Sequence, residues 1–396
     1  MRSAENLLSR RAVLRSLAAT SLLATPLARP LFAADAQPAA AEASPKATAK
    51  SWPVFRGDVL ASGIAQTKIT DQPVELWKMS VKDGAFEATP VILDGVVYIG
   101  DLDGKLFALD LATGVEKWHW KIDSGFMAAP ALRDGLLYLG DIDGVCHCVE
   151  IATGKEKWKF TGEAEVDSSA NFWQDKVLFG SQDRHLYCLD AKTGALAWKH
   201  AIDDQIRCTP TVVGDRCFVA GCDSKLHIID LKKGTEETSV AIDGPTGVTP
   251  AVLGDHVFFG TEGGTLYSVD WKQGKVAWQE TTLADGQPYR SSPAVMDGLM
   301  IVGSRARKVI ALDPANGNEV WTFTSKQRID SSPVIAGDRV IVGAADGRLY
   351  GLDRKTGEQV WEKQATPGFV GSAAVADGKV VIANDRGTVY CYGAKG

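Results

Sequence analysis

The chain has 396 residues, is 45% hydrophobic, and carries 43 basic against 49 acidic side chains, a formal net charge of −6. That apolar content suits one large buried core, and the mild acidity argues against a nucleic-acid partner.

In chain order, residues 1–36 read as an export signal. Ser9-Arg10-Arg11-Ala12-Val13-Leu14 resembles the twin-arginine consensus and precedes an apolar run from Ala12 to Leu27. Ala34-Asp35-Ala36 provides a small-residue cleavage site. As a membrane span the run is too short, and Arg15 and Pro26 interrupt it. No cysteine precedes Cys146, so no N-terminal lipid anchor is expected. Residues 37–51, rich in Ala, Pro, Lys and Glu, read as a disordered tether. A periplasmic or secreted location follows from these signals. Arg56-Gly57-Asp58 matches an adhesion tripeptide but lies in a Trp-Pro-x-Phe stretch that opens the folded domain, so adhesion is not expected.

From Ala88 onward a block of about forty residues recurs. Pro90, Pro130, Ala170, Pro210, Pro250, Pro293, Pro333 and Ala373 mark one point in successive copies, spaced 40, 40, 40, 40, 43, 40 and 40. Trp118, Trp158, Trp198, Trp278, Trp321 and Trp361 keep step, and Thr238 breaks the series. Each copy holds four short β-branched and aromatic runs cut by Asp-Gly and Thr-Gly pairs, as in Asp94-Gly95 and Thr113-Gly114. Asp-Gly between apolar runs signals a hairpin, because both central turn positions favour positive φ. One four-stranded sheet buries little, so copies must stack, and this period fits an all-β propeller blade. Seven copies are complete and the eighth ends after three strands. Val74-Glu75-Leu76-Trp77-Lys78-Met79 matches the missing outer strand, predicting an eight-bladed β-propeller over 52–396 closed by an N-terminal strand.

Ala108-Leu-Asp110-Leu-Ala-Thr113-Gly114-Val-Glu-Lys-Trp118, repeated with variation to Trp198, Trp321 and Trp361, resembles the tryptophan-docking motif of the pyrroloquinoline-quinone (PQQ) repeat family. The resemblance implies that each docking tryptophan, Trp77 included, packs on the backbone of the next blade. It also implies one of two functional kinds. Quinone-dependent alcohol and sugar dehydrogenases hold PQQ with calcium, under an adjacent Cys-Cys disulfide. Non-catalytic propellers of the BamB type bind protein partners in the cell envelope. This sequence has no adjacent cysteines, no Cys-x-x-Cys-His haem site, and a single three-residue insertion between blades. The expectation is therefore a monomeric, BamB-like binding or scaffold module with a protein partner, and with no catalytic residue, metal or cofactor assigned. A PQQ-dependent dehydrogenase is the alternative, and recognition of a polysaccharide or other envelope polymer a further one.

Seven cysteines in an exported protein would suggest disulfides with one thiol left over. Cys148, Cys188 and Cys391, however, occupy the small-residue slot of Ala108 and read as buried fillers. Cys217 and Cys222 flank a turn and are the best candidates for a pair. Asp101-Leu-Asp103-Gly104 and Asp141-Ile-Asp143-Gly144 look like the start of a calcium loop but stand where the repeat needs a turn. In Cys146-His147-Cys148, strand alternation points the histidine away from both thiols, favouring core over metal. Arg305-Ala-Arg307-Lys308 replaces an Asp-Gly turn and reads as a solvated basic loop.

The candidate site is assembled by the repeat. Before each inner strand stands a pair whose second member is Glu87, Met127, Asp167, Arg207, Gly247, Arg290, Asp330 or Val370. Equivalent positions in a ring converge on its axis, and packing alone would keep them uniform. Glu87, Asp167, Arg207, Arg290 and Asp330 are thus expected to line a polar funnel for a partner or small ligand; solvated, mutually neutralising rim charges are the bland alternative. The docking motif itself makes a prediction. Trp158→Ala should cost about 3–5 kcal/mol, as large core truncations do, and lower the melting temperature far more than Thr238→Ala; equal shifts would defeat it.

Overall fold

The computed structural model describes residues 45–366 and 368–395, so the expected export signal lies outside the described residues. Val91–Leu93, Val96–Gly100, Lys105–Asp110 and Glu116–Lys121 form blade 1 as an antiparallel meander from the axis outward. The pattern recurs to give eight sheets among the described residues, with no helix. Asp94 and Gly95 take φ of 49° and 74° in the first hairpin, the conformation that selects Asp-Gly there.

Val74–Ser80 pairs antiparallel with Thr388–Gly393, setting Trp77 opposite Cys391, so the two chain ends share blade 8. The core lies between blade faces: Tyr138 and Cys148 of blade 2 pack in one cluster with Val166, Phe172 and Phe179 of blade 3.

Six indoles lock neighbouring blades. Trp77, Trp118, Trp158, Trp198, Trp278 and Trp321 donate from Nε1 to the carbonyls of Leu111, Ile151, Ala191, Leu231, Pro314 and Arg354 at 2.9–3.2 Å. Each ring also lies against the glycine of the next turn; a Cβ on Gly114, at φ +73°, would stand 2.6 Å from the Trp77 ring. Trp361 departs from the expectation. Its indole N–H is buried without a partner, because blade 8 takes its outer strand from the N-terminal segment and so has no turn to receive it.

Opposite each tryptophan on the adjacent strand sits a small residue: Ala108, Cys148, Cys188, Ser268, Ala311, Gly351 or Cys391. This explains the slot that three cysteines fill. Blade 4, where Thr238 breaks the tryptophan series, makes two repairs. Ile228 replaces the small residue opposite Thr238. An indole also returns from blade 5: Trp271 donates to the Gly254 carbonyl at 3.2 Å and sets its ring 5.7 Å from Phe218. Tyr98–Trp118 and Phe258–Trp278 make the matching contacts within blades 1 and 5 at 5.9 and 6.0 Å.

A second device was not visible as such in the sequence. Innermost strands are sheet edges, except in blade 7 where Ile64–Ala65 adds a short parallel fifth strand, and their outward N–H groups need acceptors. A single N-terminal stretch supplies them. Ile92, Leu132, Val212, Val252, Val295 and Ile335 donate to the carbonyls of Trp52, Pro53, Val59, Leu60, Ser62 and Gly63 at 2.8–3.0 Å. In blade 3, Asn171 satisfies the N–H of Phe172 through Oδ1 and reaches Val59 O through Nδ2. Residues 52–63 therefore plug the axis. The adhesion tripeptide is part of the plug: Arg56 is 1% exposed and donates to the carbonyls of Pro293 and Pro333. Its burial pulls the guanidinium pKa down to about 9, against the opposing field of Asp58. Asp58 Oδ1 in turn receives the N–H groups of Leu60 and Ser62.

Packing also begins earlier than the expected tether allows. Ala47 is buried, and Asp377 N donates to Ala49 O at 2.7 Å. Cys217 and Cys222 are not paired: Cys217 is buried between blades 3 and 4, while Cys222 points its thiol at the Thr246 carbonyl. In the aspartate turns, Asp101 Oδ1 accepts from Asp103 N and Lys105 N, a turn-closing role. His147 is buried and bonds Glu156 through Nδ1 and Asp141 through Nε2. The compensation in blade 4 has a measurable consequence. Trp271→Ala should destabilise the protein by about 3 kcal/mol in thermal or denaturant melts, clearly more than Thr238→Ala; a loss no greater than that of Thr238→Ala would show that Trp271 does not replace the missing indole.

Candidate functional site

The loops that enter the inner strands stand above the plug, and their side chains close around the axis in two layers. The lower layer is nearly uniform, Ser or Thr in all but one blade: Thr89, Ala129, Ser169, Thr209, Thr249, Ser292, Ser332 and Ser372, each directly before its blade's marker proline or alanine. Its hydroxyls stitch blade to blade. Backbone N–H groups of Ala129, Thr209, Thr249, Ser292, Ser332 and Ser372 donate to the hydroxyls of Ser169, Thr249, Ser292, Ser332, Ser372 and Thr89 at 2.9–3.1 Å. The last of these bonds crosses the seam between blades 8 and 1.

The upper layer holds the variable positions. Glu87, Met127, Asp167, Arg207, Gly247, Arg290, Asp330 and Val370 line one cavity with the hydroxyl layer, and Phe55 of the plug closes it below. The cavity measures ≈ 180 Å³. It is a cup with one mouth rather than a channel through the ring. All five expected funnel residues line it together, but they differ in what holds them.

Two are engaged by neighbours. Arg290 Nε lies 2.8 Å from Glu262 Oε1. Asp330 accepts Arg305 in a bidentate pair at 2.8 and 3.0 Å, and Arg328 Nε at 3.0 Å. This also corrects the solvated basic loop, since Arg305 turns inward to Asp330 and Lys308 pairs with Asp285 at 2.8 Å. The other three have no ion pair among the described residues. Arg207 Nε bonds only Gln205 Oε1, at 3.1 Å. Asp167 accepts Gln182 Nε2 at 3.2 Å on Oδ2, while Oδ1 is buried without a partner. Glu87 has its carboxyl pKa raised by burial, then by the fields of Asp385 and Glu165. Burial likewise lifts Asp167 from 3.8 to about 6, with Glu165 adding to the rise and Arg207 opposing it.

Sequence reasoning found the variable layer by symmetry. It missed the hydroxyl layer, although the signal was present one residue before each marker. It also missed Phe55, which lines the cup from the plug, and Gln182, Glu262, Arg305 and Arg328, which engage Asp167, Arg290 and Asp330 and carry no repeat signature.

A family model described as outer membrane protein assembly factor BamB matches residues 70–171, 143–289 and 282–396. No curated protein matches the chain in sequence. Among solved structures, BamB from Moraxella catarrhalis is similar with a TM-score of 0.69 at 17% identity, covering 82% of this chain and 98% of that one. The quinohemoprotein alcohol dehydrogenase from Comamonas testosteroni gives 0.74 at 15% identity, covering 90% of this chain and 82% of that one. The computationally designed Ika8 protein gives 0.73 at 20% identity, covering 81% and 99%. At these identities the likeness shows the fold.

The raised Asp167 carboxyl has a sign that can be checked. The fold binds its proton more tightly than the unfolded chain does, so stability falls as pH rises between the ordinary 3.8 and about 6. Asp167→Asn should therefore raise the melting temperature at pH 8 and change it little at pH 3. The same rise at both pH values would mean that the gain comes from packing and not from removal of a buried charge.

Proposed function

We propose, from the premise that the chain belongs to the BamB family of PQQ-repeat propellers, that it is a non-catalytic binding module of the cell envelope whose partner docks at the cup. One observation carries this reading. Eight equivalent rim positions carry Glu, Met, Asp, Arg, Gly, Arg, Asp and Val above eight that are almost all Ser or Thr. Packing demands the lower layer, through its inter-blade hydrogen bonds. Nothing in the packing demands the upper one, so its composition is available for recognition. The rim also keeps the partly buried Glu87 and Asp167 without ion pairs, although desolvating such groups is unfavourable, and leaves Arg207 exposed beside Asp167.

The lining does not suit PQQ, a rigid fused tricycle with three carboxylates. A cup of ≈ 180 Å³ is smaller than the ~300 Å³ at which small-molecule pockets usually begin. Phe55 is the one aromatic residue among those lining it. Arg290 already holds Glu262, and Glu87 and Asp167 would face the cofactor's carboxylates. These features favour the binding module over the quinoprotein dehydrogenase. An envelope location accords with the twin-arginine-like segment Ser9–Leu14, and no helix among the described residues is long and apolar enough to span a membrane.

A photo-crosslinking side chain placed at position 127, on the rim, should capture a specific envelope protein in cells. The same group at position 233, on the opposite face, should not. Arg207→Ala combined with Arg290→Ala should abolish the rim crosslink. Capture only from position 233, or an undiminished crosslink in the double variant, would end the rim reading. Purified protein titrated with PQQ and calcium should show no quinone absorbance change and no dye reduction with alcohols or sugars.

A further inference from the structure

We infer that the cup recognises a neutral polyhydroxylated group, such as a single sugar ring carried by an envelope glycan or glycoconjugate. The inference rests on the cup being the binding site and names what enters it. The hydroxyl layer provides the first half of the chemistry. Thr89, Ser169, Thr249, Ser292, Ser332 and Ser372 each accept a backbone N–H from the preceding blade. A hydroxyl has one proton and two lone pairs. With one lone pair fixed by the neighbouring blade, the proton and the other lone pair remain. None of the six donates to another described group, and all six line the cavity while being at least nine-tenths buried. The base of the cup is thus a ring of donors with fixed oxygen positions.

The wall provides the other half. Asp167 Oδ1 is a buried acceptor with no donor, and Glu87 accepts no hydrogen bond among the described residues. Arg207 adds donors beside Asp167. Buried polar groups left unsatisfied are unfavourable, so the ligand that fits is one that answers both sets. An anion would meet the base but be repelled by Glu87 and Asp167. A cation would satisfy those carboxylates and leave the donor ring unanswered. A polyol presents donors and acceptors around one compact ring and so answers both sets. The volume of ≈ 180 Å³ suits one such ring and not a folded chain.

Saturation-transfer NMR on the full chain tests this with three probes of equal size: methyl α-D-glucopyranoside, D-glucosamine and D-glucuronate. The neutral glycoside should bind at millimolar concentration and more tightly than either charged sugar. Asp167→Ala and Arg207→Met should each weaken it about tenfold, the loss expected for one hydrogen bond to a charged group. Melting curves would establish that both variants remain folded. Preferred binding of the glucuronate or of the glucosamine would overturn the assignment in favour of an anion or a cation site. So would absence of binding by the glycoside, or binding unaltered in both folded variants. Val370→Trp, which fills the mouth from another upper-layer position and leaves position 127 free for the crosslinker, separates the two levels of inference. If it removes the partner crosslink while no sugar binds wild type, only the polyol assignment fails. If it leaves the crosslink intact, the cup itself is not the docking site.

Discussion

The indole that crosses from one blade to the next is the contact on which this architecture depends. A blade of four short strands buries neither face alone, and its edges are open. Trp118 solves three requirements together. Its ring covers the glycine of the next turn, its N–H satisfies the Ile151 carbonyl, and its bulk sits over the small Ala108 behind it. Repetition of this wedge joins each of six blades to its successor. Blade 4 shows that the requirement is physical rather than a matter of motif. With Thr238 in place of tryptophan, Ile228 and Trp271 supply the volume from two other positions.

Much of this was legible because the repeat is regular. The forty-residue spacing, the Asp-Gly turns and the Trp77 segment were enough to specify eight blades and the shared last sheet. What stayed hidden is aperiodic. The plug at 52–63 has no repeat signature, since a single irregular strand meets each blade with a different residue. Trp361 illustrates a subtler limit. It satisfies the motif, yet its acceptor lies on a turn that the last blade does not possess. Cys217 and Cys222 were close in sequence, but the first faces an inter-blade core and the second a neighbouring carbonyl.

The site shows the same division. Its variable layer could be located by symmetry alone, because equivalent loop positions in a ring must converge. Which charges remain available could not be located that way. Asp330 is neutralised by Arg305 and Arg328, and Arg290 by Glu262, through turns that no spacing rule connects. The nearly uniform layer of hydroxyls beneath has a double character. It fastens adjoining blades through its oxygens and leaves its protons unengaged by any described group. Stability and recognition therefore share the same atoms there, which restricts how far evolution can alter the base without loosening the ring.

Residues 49–80 contribute both the axial plug and the outermost strand of blade 8, whose partner is Thr388–Gly393. The outermost strand of blade 8 consequently finds its hydrogen-bonding partner only in the last strand of the chain. During synthesis the plug carbonyls can be met in turn as Ile92, Leu132, Val212, Val252, Val295 and Ile335 emerge, whereas Val74–Ser80 must wait for Thr388–Gly393. Closure of such non-local contacts is slow, and partly assembled domains expose sticky strand edges meanwhile. Closure of the ring is thereby concentrated in one contact: loss of Thr388–Gly393 would take away not a single strand but the clasp that holds Val74–Ser80 in place.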